Sequence, residues 1–371
     1  MRADGSRASP RERFAIHGRM TASPIRIALT GAGFGARIQV PGFRRSGRFE
    51  VVALVGRDLE RTRRVATELD VSHAFDSLAA ALAAVECDAV SISAPPAAHA
   101  EQALTALAAG KHVLCEKPMA RDLVEARAMV AAARSAGVVA LVDHEFRFHP
   151  SRAALARLVR SGEIGEPRLL VAHDDLSLYV APHRTAPAWW FDAEAGGGWL
   201  GASGSHLIDA AQVWLGPIAS VLGVVERLGA PGTADDTFTL ITGFASGARG
   251  VLHQSAAVLG PRSSALRIAG SEATAWLDDE WKLWIARRGS DPVLAPIPDD
   301  LALPPVDVPR SAGPFATREL PCFVRQADAF AAAIDGRPFA DPAAATFEDG
   351  LSVQAVMDAA RRGEWTEVAT R

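Results

Sequence analysis

The sequence predicts an α/β chain: a doubly wound parallel sheet first, then an α+β half with a large, mostly antiparallel sheet. Three observations predict it. Up to about residue 142, short β-branched runs alternate with amphipathic helical stretches. A glycine-rich turn, GAGFGA over Gly31–Ala36, joins the first such run to the first helical stretch. Beyond about residue 160, strand-like runs follow one another with few helices between them.

Each element supports this in turn. Ile25–Thr30 reads as a strand, the glycine turn opens a helix reaching about Arg45, and Phe49–Val55 is a second strand. Strand, turn, helix and strand within about 30 residues is what a βαβ unit requires. Leu59–Leu69 and Ser77–Val85 read as helices and Asp88–Ser93 as a third buried strand. Ala98–Ala109 carries an apolar stripe, and Gly110 stands where a left-handed terminating residue belongs. His112–Cys115 (strand), Leu123–Ala136 (helix) and Val138–Val142 (strand) complete the alternation. Ser151–Ser161 is a helix. Arg168–Ala172, Ala219–Val225, Phe238–Phe244, Gly250–Gln254, Ala265–Ala269 and Ala273–Leu277 then read as strands, with Ser246-Gly247 as a hairpin turn. Gly289–Ala316 holds seven of the 23 prolines and is expected as a long irregular loop. Leu320–Ile334 and Phe347–Ala360 are expected as closing helices.

Composition excludes several function classes. The 371 residues include 39 basic and 43 acidic ones, so the net charge is −4. No basic excess is present to displace counterions from a nucleic acid. The three cysteines, Cys87, Cys115 and Cys322, are far apart and form no CxxC pair, so neither a zinc site nor a disulfide framework is expected, and a reducing, cytoplasmic compartment fits. No apolar run reaches the length of a spanning helix, so no membrane association is expected. Residues 1–23 have scattered arginines without an apolar core, unlike a secretory signal; they are expected to be a polar, disordered extension, and Met20 is an alternative start. There is no asparagine, and only three lysines, Lys111, Lys117 and Lys282, stand among the arginines. Lysine can release its proton where arginine cannot. A lysine in so arginine-biased a chain therefore points to a wanted amine.

The turn Gly31-x-Gly33-x-x-Ala36 has the spacing of a dinucleotide loop. The first glycine allows the turn, the second lets backbone approach a pyrophosphate, and the small third residue lets helix and strand pack. The helix N-terminus supplies amide donors. Gly31, Gly33, Phe34, Gly35 and Ala36 are thus cofactor-binding candidates. The second strand ends in Val55-Gly56-Arg57-Asp58. Glycine where an acidic residue would meet a ribose hydroxyl, followed by Arg57, favours NADP over NAD. Asp58 could still serve the ribose. The division expected is a nucleotide-binding part at 24–148 and a substrate-binding and oligomer-forming part at 149–371.

The third strand ends in Ser93-Ala94-Pro95-Pro96-Ala97-Ala98-His99, and the fourth runs through Ala109-Gly110-Lys111-His112-Val113-Leu114-Cys115-Glu116-Lys117-Pro118. After a GxGxxA loop, these segments resemble the Gfo/Idh/MocA oxidoreductase family, named for glucose–fructose oxidoreductase and inositol dehydrogenase. Gly196–Leu200 and Gly204–Asp209 resemble its second-half motif, and Thr346–Gly350 its closing pattern; the likeness covers about residues 24–368. It implies a Rossmann domain followed by a large, mostly antiparallel sheet through which homo-oligomers, dimers or tetramers, form. It implies hydride transfer between a nicotinamide cofactor and a sugar, cyclitol or related polyhydroxylated small molecule. It extends the cofactor set to Ala94, Pro95, His99, Glu116 and Lys117. Lys117 is similar to the family residue that touches both cofactor and substrate, and His206 to a catalytic histidine.

The residues themselves give a compatible picture. Lys117 follows the carboxyl end of a parallel strand, where open α/β sheets bind ligands. Pro118 forces the chain to turn there, and its peptide bond can be cis. His206 and Asp209, three apart on one helix face, point away from the stripe Leu207, Ala211, Trp214 and Leu215. No third ligand joins them, so no metal is expected. The family often has aspartate four residues before the histidine; here it is Ala202. Either Lys117 and His206 act without it, or Asp209 or Glu145 substitutes, or activity is altered. Glu145, where the family frequently has asparagine, is a candidate to face cofactor or substrate. Trp189, Trp190, Phe191 and Trp199 either stack on a sugar ring or pack a corner. Gly201–Ser205 is not the GxSxG of a hydrolase elbow. Two alternatives to net oxidation or reduction stand: a redox-neutral enzyme with tightly held cofactor, and a non-catalytic sensor of nucleotide or sugar.

Overall fold

The computed structural model of the chain describes residues 23–180, 186–278, 281–308 and 316–368. The polar stretch expected over residues 1–23 falls outside these except for Ser23, as does part of the expected loop 289–316.

The alternation read along the first 142 residues becomes β1 (Ile25–Thr30), α1 (Phe34–Ser46), β2 (Phe49–Val55), α2 (Leu59–Glu68), β3 (His73–Phe75), α3 (Leu78–Ala84), β4 (Ala89–Ile92), α4 (His99–Ala108), β5 (His112–Cys115), α5 (Leu123–Ala136) and β6 (Ala140–Val142). Local chemistry sets the helix ends. The Asp58, Ser77 and Asp122 side chains accept N-terminal amides of α2, α3 and α5. Gly137, in the left-handed region, ends α5. Strand β3 was not expected: three residues with an exposed histidine carry no readable period.

The rest is α6 (Pro150–Arg160), β7 (Pro167–Asp175), α7 (Ser205–Leu215), β8 (Ile218–Glu226), β9 (Thr237–Phe244), β10 (Arg249–Ser255), β11 (Ser263–Gly270), β12 (Ala273–Asp278), β13 (Lys282–Arg287), β14 (Val293–Leu294), α8 (Ala316–Ile334), β15 (Ala345–Thr346), α9 (Phe347–Ala360) and β16 (Thr366–Glu367). Strands β13, β14 and β16 lengthen the sheet beyond the expected six; β14 lies inside the stretch expected to be irregular. A reciprocal cap between Thr346 and Asp349 starts α9.

Two sheets result. The first has the order β3-β2-β1-β4-β5-β6-β15, parallel except for the β6–β15 pair. Its order reverses between β1 and β4, which opens a crevice at the carboxyl ends of the strands. The second has nine strands, β14-β13-β12-β11-β7-β10-β9-β8-β16, antiparallel except where β7 meets β10. Helices α6, α7 and α9 cover one face of it, with Leu155, Ile208, Leu240, Leu252 and Val356 in one core. The chain then returns to the first sheet. Helix α8 lies against α1 and the start of β2, with Phe323 on Phe43 and Phe330 on Phe49, and β15 extends the parallel sheet. Residues from the last quarter of the chain therefore help build both halves.

Candidate active site

The cradle for a nucleotide lies between β1 and α1. Gly31 has φ +94°, and a Cβ there would sit 2.3 Å from the Ser93 carbonyl oxygen, so only glycine fits between the ends of β1 and β4. Beside Gly33 the space is open. Gly33 caps α1 without a side-chain bond, and the first turn of α1 holds no acidic residue. Uncapped amides at the positive end of a helix, facing open space, suit an anion. Gly35 and Ala36 are buried against the strand ends, as the fingerprint requires; the Phe34 side chain lies outside the described residues. At the tip of β2, a Cβ on Gly56 would meet the Thr62 hydroxyl at 2.6 Å and Ala32 at 3.4 Å, which excludes a carboxylate from that position. Arg57 is exposed, and Asp58 is engaged as the cap of α2 through the Arg61 amide at 3.0 Å. The residues fit a dinucleotide.

At the end of β5 the chain runs through Glu116 and Lys117 into a cis Lys117–Pro118 bond. The Lys117 Nζ donates to the Ala202 carbonyl oxygen at 3.1 Å. Ala202 lies in the wide helical turn Leu200–Gly204 that precedes α7, and Gly201 of this turn packs on Pro118. The glycine run before it reaches the β4 turn, where the Ala97 amide donates to the Ala195 carbonyl. Two motifs far apart in sequence thus form one wall.

Helix α7 brings His206 to the same place. Its Nδ1 lies 3.5 Å from the Nδ1 of His144, and its Nε2 lies 3.8 Å from a Glu145 oxygen. The Phe146 ring packs on it at 4.7 Å. His206 and Glu145 are each 7% exposed. Burial, then the Lys117 charge, pushes His206 well below its usual range, and burial holds His144 down to about 4. Both rings are neutral at pH 7. Burial pushes the Glu145 carboxyl up to about 8 against the pull of Lys117, with Glu116 and Glu319 adding to the rise. Burial likewise raises Glu319 to about 7. Behind them Gln39 ties Glu116 (3.0 Å) to Asp143 (3.2 Å), and burial beside Glu116 raises Asp143 well above the carboxylate range. This is a set of carboxyl groups around one ammonium, several of which keep their protons near neutrality.

Two expectations change. Asp209 does not face a ligand: it is 2% exposed, and its two oxygens accept from Arg147 at 2.8 and 2.6 Å. Burial opposes its charge, but Arg147 holds its carboxyl below the usual range. His99 is also enclosed, at 1% exposure, with Nδ1 2.9 Å from the Pro118 carbonyl oxygen and Nε2 2.7 Å from that of Ala94. It ties the β4 and β5 loops together behind the cradle instead of reaching into it. Trp190, Phe191 and Trp199 pack around Tyr179, which favours the corner reading of that cluster. Ala94, Pro95 and Glu116 remain partly open along the crevice. Sequence reading missed Gln39, Asp143, His144, Arg147 and Glu319. Arginine-paired or amide-bridged carboxylates show no periodic signal, and Glu319 reaches the site only because α8 folds back. Among the described residues no group of three or more His, Cys, Asp or Glu is placed to hold a metal, and no helix is long and apolar enough to cross a membrane.

Comparison with known proteins agrees with this geometry. Residues 25–144 match the profile described as an oxidoreductase family with an NAD-binding Rossmann fold, and residues 153–276 that of a GFO/IDH/MocA C-terminal domain. The chain is similar to 1,5-anhydro-D-fructose reductase of Ensifer adhaerens, 38% identical over 174 residues, 47% of this chain and 51% of that one. It is also similar to D-glucoside 3-dehydrogenase of Escherichia coli, 34% identical over 206 residues, 53% of this chain and 56% of that one. The matches therefore span about half the length of these relatives. A levoglucosan dehydrogenase solved with NADH and levoglucosan shares the fold, with a TM-score of 0.80 at 21% identity over 93% of this chain and all of that one.

Proposed function

The chain belongs to the GFO/IDH/MocA oxidoreductase family, and from that premise we propose that it oxidises or reduces a CH–OH group of a sugar, cyclitol or related polyhydroxylated small molecule with a nicotinamide cofactor. The observation that carries this is the meeting of Lys117, His206 and Glu145 at the carboxyl ends of the parallel strands, next to an uncapped glycine loop. Gly31, Gly33, Phe34, Gly35, Ala36, Ala94, Pro95, Glu116 and Lys117 line the cofactor side. When bound, the nicotinamide supplies or accepts a hydride. The chain's own part is to orient the substrate and handle charge. Lys117, free to leave the Ala202 carbonyl, donates to the reacting oxygen and stabilises negative charge on it. His206, neutral at pH 7, bonds the same oxygen. Gly56 and exposed Arg57 favour NADP, since the glycine leaves room and the guanidinium pairs a 2′-phosphate. The relatives named above act, by their names, on sugar-like molecules, which supports the substrate class.

We also propose that the protein self-associates through the uncovered face of its nine-stranded sheet. The test of the activity is turnover followed by nicotinamide absorbance across sugars, cyclitols and their keto forms, with each cofactor separately. Lys117→Met should lose about two to four orders of magnitude in kcat. Turnover that survives this substitution would refute the assignment of Lys117.

A further inference from the structure

We propose that the Glu145 carboxyl, paired with His206, is the group that gives and takes the proton of the reaction; the inference rests on the oxidoreductase reading above. Four observations carry it. The residue four before His206 is Ala202, which offers only its carbonyl, and Lys117 occupies that. Glu145 stands in the short turn Glu145–Phe148 directly after β6, on the crevice side of the parallel sheet. Its oxygen lies 3.8 Å from the His206 Nε2, too far for a direct hydrogen bond and wide enough for a substrate oxygen to touch both. Of the neighbouring carboxyl groups, Asp209 is bound by Arg147, and Glu116 and Asp143 by Gln39; Glu319 on α8 also has a buried oxygen without a partner, and the Glu145→Gln titration below separates the two. Among the described residues no side-chain hydrogen bond holds the Glu145 carboxyl.

The charges around it suit a proton carrier. Lys117 and Glu116 face it from the end of β5, and Asp143 and His144 precede it. His206 faces it from α7, Arg152 lies on α6, and Arg318, Glu319 and Cys322 come from α8. Burial and the two glutamates keep the proton on Glu145 near neutrality, and Lys117 stabilises the carboxylate left when the proton goes. In reduction, the carbonyl carbon gains the hydride supplied by the dihydronicotinamide, which is oxidised. The C=O pair moves onto oxygen, and the Glu145 O–H bond breaks as the alcohol O–H bond forms. Oxidation of the alcohol runs through the same bonds in reverse and needs Glu145 ionised, hence higher pH.

The test uses the full chain without nucleotide. Ring ¹⁵N shifts of His206, assigned by comparison with His206→Gln, are followed against pH. His206 itself stays neutral, so the expected shift change has its midpoint near 8 and reports Glu145. Glu145→Gln, close in shape to the protonated acid, should abolish that midpoint, and Glu145→Asp should restore one. A midpoint that persists in Glu145→Gln overturns the proposal. On a substrate the wild type turns over, Glu145→Gln should lower kcat by about 10²–10⁴-fold with nucleotide affinity retained; unchanged kcat also overturns it. Absence of wild-type turnover counts against the oxidoreductase reading alone, because the His206 titration needs no substrate.

Discussion

The proposed preference for NADP rests on one side chain, Arg57. The strand before it ends in Gly56, where Thr62 and Ala32 leave no room for a carboxylate, and the next acid, Asp58, is engaged by the Arg61 amide. On the proposed reading, Asp58, with one oxygen used as the cap of α2, is the acid left for a ribose hydroxyl, and a 2′-phosphate would meet the exposed Arg57 guanidinium. A charge-assisted bond of this kind contributes about 1.5–3 kcal/mol. Arg57→Ala should weaken NADP binding by about 10–100-fold and leave NAD binding within about threefold. Calorimetric titration with each nucleotide checks it. Equal losses for both would show that Arg57 serves the fold or the shared pyrophosphate, and the NADP preference would fall. The same economy of side chains holds deeper in the site. Asp209 is held by Arg147 and Asp143 by Gln39, while the Glu145 carboxyl and the His206 Nε2 stand 3.8 Å apart.

Helix α8 shows how an element far along the chain becomes part of the site. It lies on α1 so closely that a Cβ on Gly42 would fall 2.3 Å from the Phe323 ring. That ring is fixed edge-on to Phe43, and Phe330 stacks on Phe49 in the same cluster, so it has no easy way to yield. Gly42→Ala gains up to about 1 kcal/mol of helix propensity. The overpacking costs about 1–3 kcal/mol, so the clash wins. We expect a lower midpoint in thermal unfolding by a few degrees and a displaced Glu319; an unchanged or raised midpoint would show that the two helices separate freely. This element was only partly legible in the sequence. Its periodic stripe was readable over Leu320–Ile334, but its packing partner was not, since nothing in the stripe says that the chain folds back onto α1. The same holds elsewhere. Strands with buried alternation, such as Phe49–Val55, emerge at their expected bounds. Two-residue strands such as Ala345–Thr346 have no period of their own and exist because β6 offers an edge. In the site, Lys117 and His206 were legible as motifs. Glu319, Asp143 and Gln39 were not, because a buried polar residue looks ordinary until the fold surrounds it with others.

The two sheets differ in how they are finished. The parallel sheet has helices on both faces, as parallel sheets require. The nine-stranded sheet has α6, α7 and α9 on one face only. Across the other face, strand registers align Leu222, Ile241, Val251, Val171, Arg267, Trp276, Trp284 and Leu294 in one row. The two tryptophans stack at 6.2 Å, and Ile241, on β9 toward the other end of the row, is 43% exposed. Apart from Arg267 the row is apolar, and it is the surface through which we propose that the protein self-associates. A second copy meeting it face to face would bury the row twice over, as an isologous interface does. Light scattering during size exclusion should therefore give at least twice the mass of the chain. Ile241→Lys places an ammonium within that contact, where an unpaired charge costs about 3–5 kcal/mol on each side. In the lone chain the same lysine points to water and changes stability by no more than about 0.5 kcal/mol. The variant should run at the mass of one chain with its thermal midpoint nearly unchanged once protein concentration is allowed for. A wild type that is monomeric at micromolar concentration would remove the interface, and an Ile241→Lys variant that stays oligomeric would move it to another surface.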